Sequence, residues 1–194
     1  AGLFNYKRLL ADSLFKTSLT NVFIYLIIQA PVMLTLALIL ASLLNDTKIR
    51  FRGFFRTALF LPCATSLVSY AIIFRSMFAI DGFVNAVLMN LNLITQPINW
   101  TGYPWTARLL IVIALTWRWT GYNMIFYLAG LQNINPSIYE AAKIDGASPY
   151  TSFFRITIPL LKPIILLTAI MSTNGTLQLF DETMNLTSGG PANS

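Results

Sequence analysis

Histidine is absent from this 194-residue chain, cysteine occurs once, as Cys63, and acidic residues number 7. Without histidine and with a single thiol, the usual zinc and haem ligand sets cannot be assembled, and no metal is expected. Cys63 lies in an apolar run, has no partner for an intrachain disulfide and says nothing about redox compartment. Charge is scarce, at 10% of residues against roughly a quarter in a soluble domain. No Gly-rich phosphate loop ending in Gly-Lys-Ser/Thr occurs, and Gly189-Gly190 stand without the rest of that motif. A paired nucleophile and base is missing too, so no catalytic residue is expected. The opening Ala1–Tyr6 has no apolar core of the kind a signal peptide needs.

What the chain does have is apolar length. Hydrophobic residues make up 56% of it, with a mean hydropathy of +0.64. Four runs are long enough to cross the ~30 Å hydrocarbon core as helices. They cover about 21–44, 57–80, 107–131 and 158–180. This predicts an all-α, polytopic membrane bundle in one domain, residues 1–194. The net charge of +6 is not gathered into a nucleic-acid patch. It falls in the gaps between apolar runs, where lipid headgroups lie.

Lys48, Arg50, Arg52 and Arg56 crowd the first gap, which the positive-inside rule places in the cytoplasm. Two crossings later the loop 132–157, with Lys143 and Arg155, lies on the same side. The connection Asp81–Thr106 and the tail Asp181–Ser194 are then external. Lys7, Arg8 and Lys16 stand against this orientation, outnumbered by the two loops.

Asn135-Pro136 reads as a helix start, a capping side chain before a proline suited to the first turn. The helix runs through Asp145, and Gly146 stops it. Ser148-Pro149 repeats the start signal for a second short helix through Arg155, with Pro159 near the membrane entry. Ala141 and Ala142 leave room for a partner to approach the backbone, Glu140 offers one charge, and Gly146 allows the elbow to bend.

Polar groups also fall inside the spans. Arg118 lies roughly 16 Å into the third, where a charge costs at least ~2.5–3.5 kcal/mol and marks a pathway or a helix brace. Tyr122 is one turn on. Ser172–Thr176 interrupt the fourth span, and Thr173, Asn174 and Thr176 are candidates for a solute path or for packing between helices. Arg75 is expected to snorkel. Trp100, Tyr103 and Trp105 suit an interfacial aromatic belt. No span holds a central Asp or Glu, which counts against an ion-coupled secondary transporter or channel.

One pattern is longer than chance allows. Glu140-Ala141-Ala142, Gly146 and, nine residues on, Ile156-Thr157-Ile158-Pro159 resemble the signature loop of ABC importer permeases, with Ile158 where leucine is usual. Leu128–Gln132, Ile144–Ser148 and Asn185–Pro191 extend the likeness to the carbohydrate-uptake type, similar to maltose and glycerol-phosphate transporter permeases. That resemblance implies a multi-pass protein of the bacterial inner membrane with about six helices, so the chain is expected to lack the first and last. It implies a path for a sugar or sugar derivative; polyols, glycerol phosphodiesters and acidic oligosaccharides are the rival solutes. It also implies three partners: a cytoplasmic ATPase dimer that binds the ATP and docks on Glu140, Ala141, Ala142, Asp145, Gly146 and Pro159, a second related permease, and an extracytoplasmic solute-binding protein. No cofactor is expected in this chain itself.

Overall fold

The computed structural model describes residues 2–191. The described residues fold into helices: α1 (Phe4–Ala11), α2 (Ser13–Asn45), α3 (Arg52–Ala64), α4 (Leu67–Met77), α5 (Phe83–Asn90), α6 (Pro104–Gln132), α7 (Pro136–Ile144), α8 (Pro149–Ser152), α9 (Ile158–Leu177) and α10 (Asp181–Thr187). A π-helical turn, Phe153–Thr157, joins α8 to α9.

Among the described residues three continuous helices are long and apolar enough to cross a membrane: α2, α6 and the run Pro149–Leu177. The second expected span is broken, and α3 and α4 pass as one crossing only when taken together. Residues 57–80 do not form one rod, because α3 and α4 are bent by 100° at their break. Pro62, in the last turn of α3, has no N–H to continue the ladder. Ser66 is extended (φ −57°, ψ 138°) and restarts the chain as the N-cap of α4. At 1.5 Å per residue each half is about 20 Å or less, too short to span alone.

The chain divides into two compact units. The first comprises residues 1–30, 65–116 and 175–194. Its interior includes an aromatic file on α4: Tyr70 and Phe74 (ring centroids 5.1 Å apart), Phe78 (5.8 Å further), then Trp100 edge-on at 5.0 Å. Trp100 is therefore a core residue, 6% exposed, while Tyr103 (69%) and Trp105 (63%) stay outside as a belt would. Asn85 of α5 organises the connection 81–106. Its Nδ2 donates to the carbonyls of Ala79, Ile80 and Ile98, and its Oδ1 accepts from Ile98 N–H and Trp100 Nε1. A fully buried amide is tolerable only when satisfied in this way. The expected external tail contains α10, which packs on α4 and buries Leu186.

The second unit comprises residues 31–64 and 117–174. Ala37, Ala41 and Leu44 of α2, Met124, Tyr127, Leu128 and Leu131 of α6, and Leu161 of α9 form its core. Small residues set the approach of helices here. A Cβ at Gly121 would run into the Leu59 carbonyl of α3, and one at Gly130 into Leu161 and Ile164 of α9. Tyr127 and Thr168 share a buried hydroxyl–hydroxyl bond of 2.8 Å between α6 and α9. Arg56, counted among the loop cations, reaches back to the Leu44 carbonyl at the end of α2 (2.7 Å).

Candidate functional site

The loop after α6 is an elbow whose local chemistry is complete. Asn135 Oδ1 accepts from Ser137 N–H (3.1 Å), and Pro136 opens α7 where its missing N–H costs nothing. At the other end, Gly146 N–H donates to Lys143 O (3.1 Å) and Ala147 N–H to Ala142 O (2.9 Å). That bond pair, with Gly146 at φ +78°, is a Schellman stop. Asp145 is the C-cap residue rather than the last helical one. Ser148 Oγ then accepts from Thr151 N–H (3.2 Å) to start α8.

The second short helix does not end at Arg155 as expected. Helix, π turn and α9 run on as one piece from Pro149 to Leu177, and Pro159 lies inside it, exposed. The reason lies in the π turn. A proline clashes with the carbonyl four residues back. Here the preceding turn is widened, with Ile158 N–H donating to Phe153 O. Thr157 ties this turn to α7 through Tyr139 (Oη to Oγ1, 3.0 Å).

Glu140, Ala141, Asp145 and Gly146 are all exposed on the elbow. Ala142 is not, at 8% exposure, so its small side chain serves packing within the chain and only Ala141 is open to an approaching surface. The residues that the sequence reading missed are Ile144 (87% exposed) and Tyr150 (73% exposed). Their signal was an apolar residue beside the Gly stop and another beside the Pro start, in a loop that must face water. Both lie on the elbow that also exposes the carboxylates of Glu140 and Asp145.

Of the intramembrane candidates, Arg118 is buried on α6, with its guanidinium 5.6 Å from the Trp119 ring centroid. Trp119 meets Tyr122 edge-on at 5.8 Å, and Tyr122 meets Phe126 at 5.1 Å. The expected neighbours Arg118 and Tyr122 are thus joined through an aromatic file. The residues on α9 differ among themselves: Thr173 is half-buried, Asn174 exposed and Thr176 buried. Buried Asn123, which donates to Trp119 O (3.0 Å), and buried Thr120 are polar residues of α6 that sequence reasoning passed over.

The first unit holds a cavity of about 400 Å³ lined by Arg75, Phe78, Asn99, Thr101, Leu110 and Thr187, among others. Arg75 is exposed at its edge, in keeping with a snorkelling cation. Among the described residues no group of three His, Cys, Asp or Glu is placed to hold a metal ion.

Residues 34–194 match the family model for the binding-protein-dependent transport system inner membrane component. The chain is 57% identical, over its full length and 66% of the relative's, to the lactose transport system permease protein of Rhizobium radiobacter. It is 36% identical to the arabinooligosaccharides transport system permease protein of Halalkalibacterium halodurans, over 99% of this chain and 61% of that one. In structure it resembles a bacterial ABC transporter involved in importing the acidic polysaccharide alginate, with a TM-score of 0.79 at 25% identity, covering 96% of this chain and 65% of that one. The chain thus spans somewhat less than two thirds of the length of these relatives. A match over 34–194, together with the elbow that carries its signature residues, is sufficient: the chain belongs to the inner membrane components of binding-protein-dependent transport systems.

Proposed function

We propose that this chain is part of the membrane-spanning region of a permease subunit that passes a sugar or sugar derivative and couples that passage to a separate ATPase. The observation that carries the reading is the α7–α8 elbow, capped at each turn and offering Glu140, Ala141, Ile144 and Gly146 outward. It is a surface built for a protein partner. The relatives whose names mention lactose and arabinooligosaccharides support a saccharide as solute, while the alginate importer keeps acidic oligosaccharides as the second reading. ATP binding and hydrolysis belong to the partner ATPase dimer; a second permease and an extracytoplasmic binding protein complete the machine. The elbow and the Lys48–Arg56 loop face the cytoplasm.

Gly146→Val forces a β-branched side chain to φ +78°, and Glu140→Lys reverses the one acidic charge of α7. Both variants should insert normally yet lose most solute-stimulated ATP hydrolysis in the assembled transporter. Unchanged co-purification of the ATPase and unchanged stimulation in both would refute the docking role.

Arg118, Tyr122, Thr173, Asn174 and Thr176 are assigned to the solute path. Each hydroxyl that a sugar takes out of water needs a replacement partner, and exposed Asn174 offers an amide. Asn174→Leu should slow uptake several-fold while assembly with the second permease, followed by size exclusion, is unchanged. A loss accounted for by failed assembly would return Asn174 to a packing role.

A further inference from the structure

The buried face of α2 within the first unit is polar. Asn21, Tyr25 and Gln29 follow one another at four-residue spacing, at 5%, 1% and 2% exposure. Four residues advance a helix by about one turn, so the three side chains stack on one side. Arg108, near the start of α6 and half-buried, donates from Nε to Asn21 Oδ1 (3.0 Å). That bond holds the guanidinium at Asn21, one helical turn from Tyr25.

Two groups there are left unanswered. The Tyr25 hydroxyl is buried and has no hydrogen-bond partner among the described residues. Arg108 makes no further hydrogen bond or ion pair among them, so its terminal amino groups are free. A buried hydroxyl without a partner is costly, and a cation in a spanning helix calls for an acceptor. A phenol hydroxyl and a guanidinium fork held one helical turn apart on the same face, both able to donate, ask for a planar anion with several lone pairs, and a carboxylate has that shape.

We propose that Asn21, Tyr25 and Arg108 form a receiving site for a carboxylate. Arg108 takes both oxygens with its fork, Tyr25 donates to one of them, and Asn21 is the positioning residue that aims the fork. The carboxylate has two possible sources: a small acidic molecule, or an acidic side chain from the rest of the transporter. Both are read by the same three residues. The assignment concerns a site apart from the elbow and does not depend on which solute is carried.

The test places 3-fluorotyrosine at Tyr25 in the complete, assembled transporter and follows its fluorine resonance. Acetate is the probe and chloride the control. If the carboxylate is a free molecule, acetate should shift the resonance saturably where chloride does not. Apparent affinity should fall at least tenfold in Arg108→Gln, fall less in Arg108→Lys, and weaken in Asn21→Ala, where the charge remains but is no longer aimed. If the carboxylate is a side chain, acetate should be silent. The resonance should then show an acid titration between about pH 3 and 6, the carboxylate range, and Arg108→Gln should move it to higher pH. Absence of both signals, or chloride acting as well as acetate, would overturn the assignment.

Discussion

α6 and the run Pro149–Leu177 are each 29 residues long and apolar enough to cross a membrane, yet 56% of the apolar stretch of α6 is buried inside the chain and only 17% of the other. The difference in what they carry follows from the difference in burial. α6 holds Arg118, Thr120 and Asn123 buried, since polar groups in hydrocarbon are tolerated only where protein surrounds them. The run through α9 shows Leu160, Leu166, Leu167 and Ile170 outward, a surface suited to lipid or to a second subunit. Hydropathy alone ranks them the other way for core membership: the more apolar helix is the less buried one. In a membrane, apolarity marks the outside as readily as the inside.

That contrast can be broken at its strongest point by adding atoms to α6. Gly121→Val puts a side chain against the Leu59 carbonyl, a backbone atom that cannot rotate away. Overpacking of this kind costs about 3 kcal/mol or more, and the variant should show sharply reduced thermal stability or yield after detergent extraction. A midpoint within a degree of the parent would mean that α3 and α6 are not held as described.

The contrast sharpens within α9. Leu161 is 1% exposed and Leu166 60%. Leu161→Ala should cost about 2–4 kcal/mol through the cavity it leaves. Leu166→Ala should cost under about 0.5 kcal/mol in the separate subunit. Equal losses would show that α9 is rotated about its axis, with Leu161 no longer facing the core. The smallest effect is expected at Gly175, where an added Cβ meets nothing within 4 Å. Gly175→Ala should leave stability unchanged or raise it by up to ~1 kcal/mol through helix propensity. A clear loss would mean that another chain packs closely there.

Much of the elbow was legible because its signals are local. Asn135-Pro136, Ser148-Pro149 and Gly146 each act on the next few backbone groups, and each appears where those residues put it. The rotational phase of α7 was not legible. Ala141 and Ala142 are the same residue type, and only tertiary packing turned the second inward. The 100° bend after Pro62 was hidden for a similar reason, since a proline in an apolar run is also compatible with a continuous spanning helix, as Pro31 in α2 and Pro163 in α9 demonstrate. Asn85 and Arg108 were missed because their roles depend on partners 13 and 87 residues away in the chain. A lone amide in a loop, or a cation at the end of a span, looks like surface until those partners are known.

The uninterrupted run from Pro149 to Leu177 has a mechanical consequence. At 1.5 Å per residue its 29 residues measure about 43 Å. A rod of that length acts as a lever: a tilt of about 5° at the elbow sweeps its far end sideways by roughly 4 Å. A hinge at Pro159 would have let the elbow move without moving the rod. Because the π turn absorbs the proline without a break, one helix leads from Thr157, which Tyr139 ties to α7, to the level of Thr173 and Asn174.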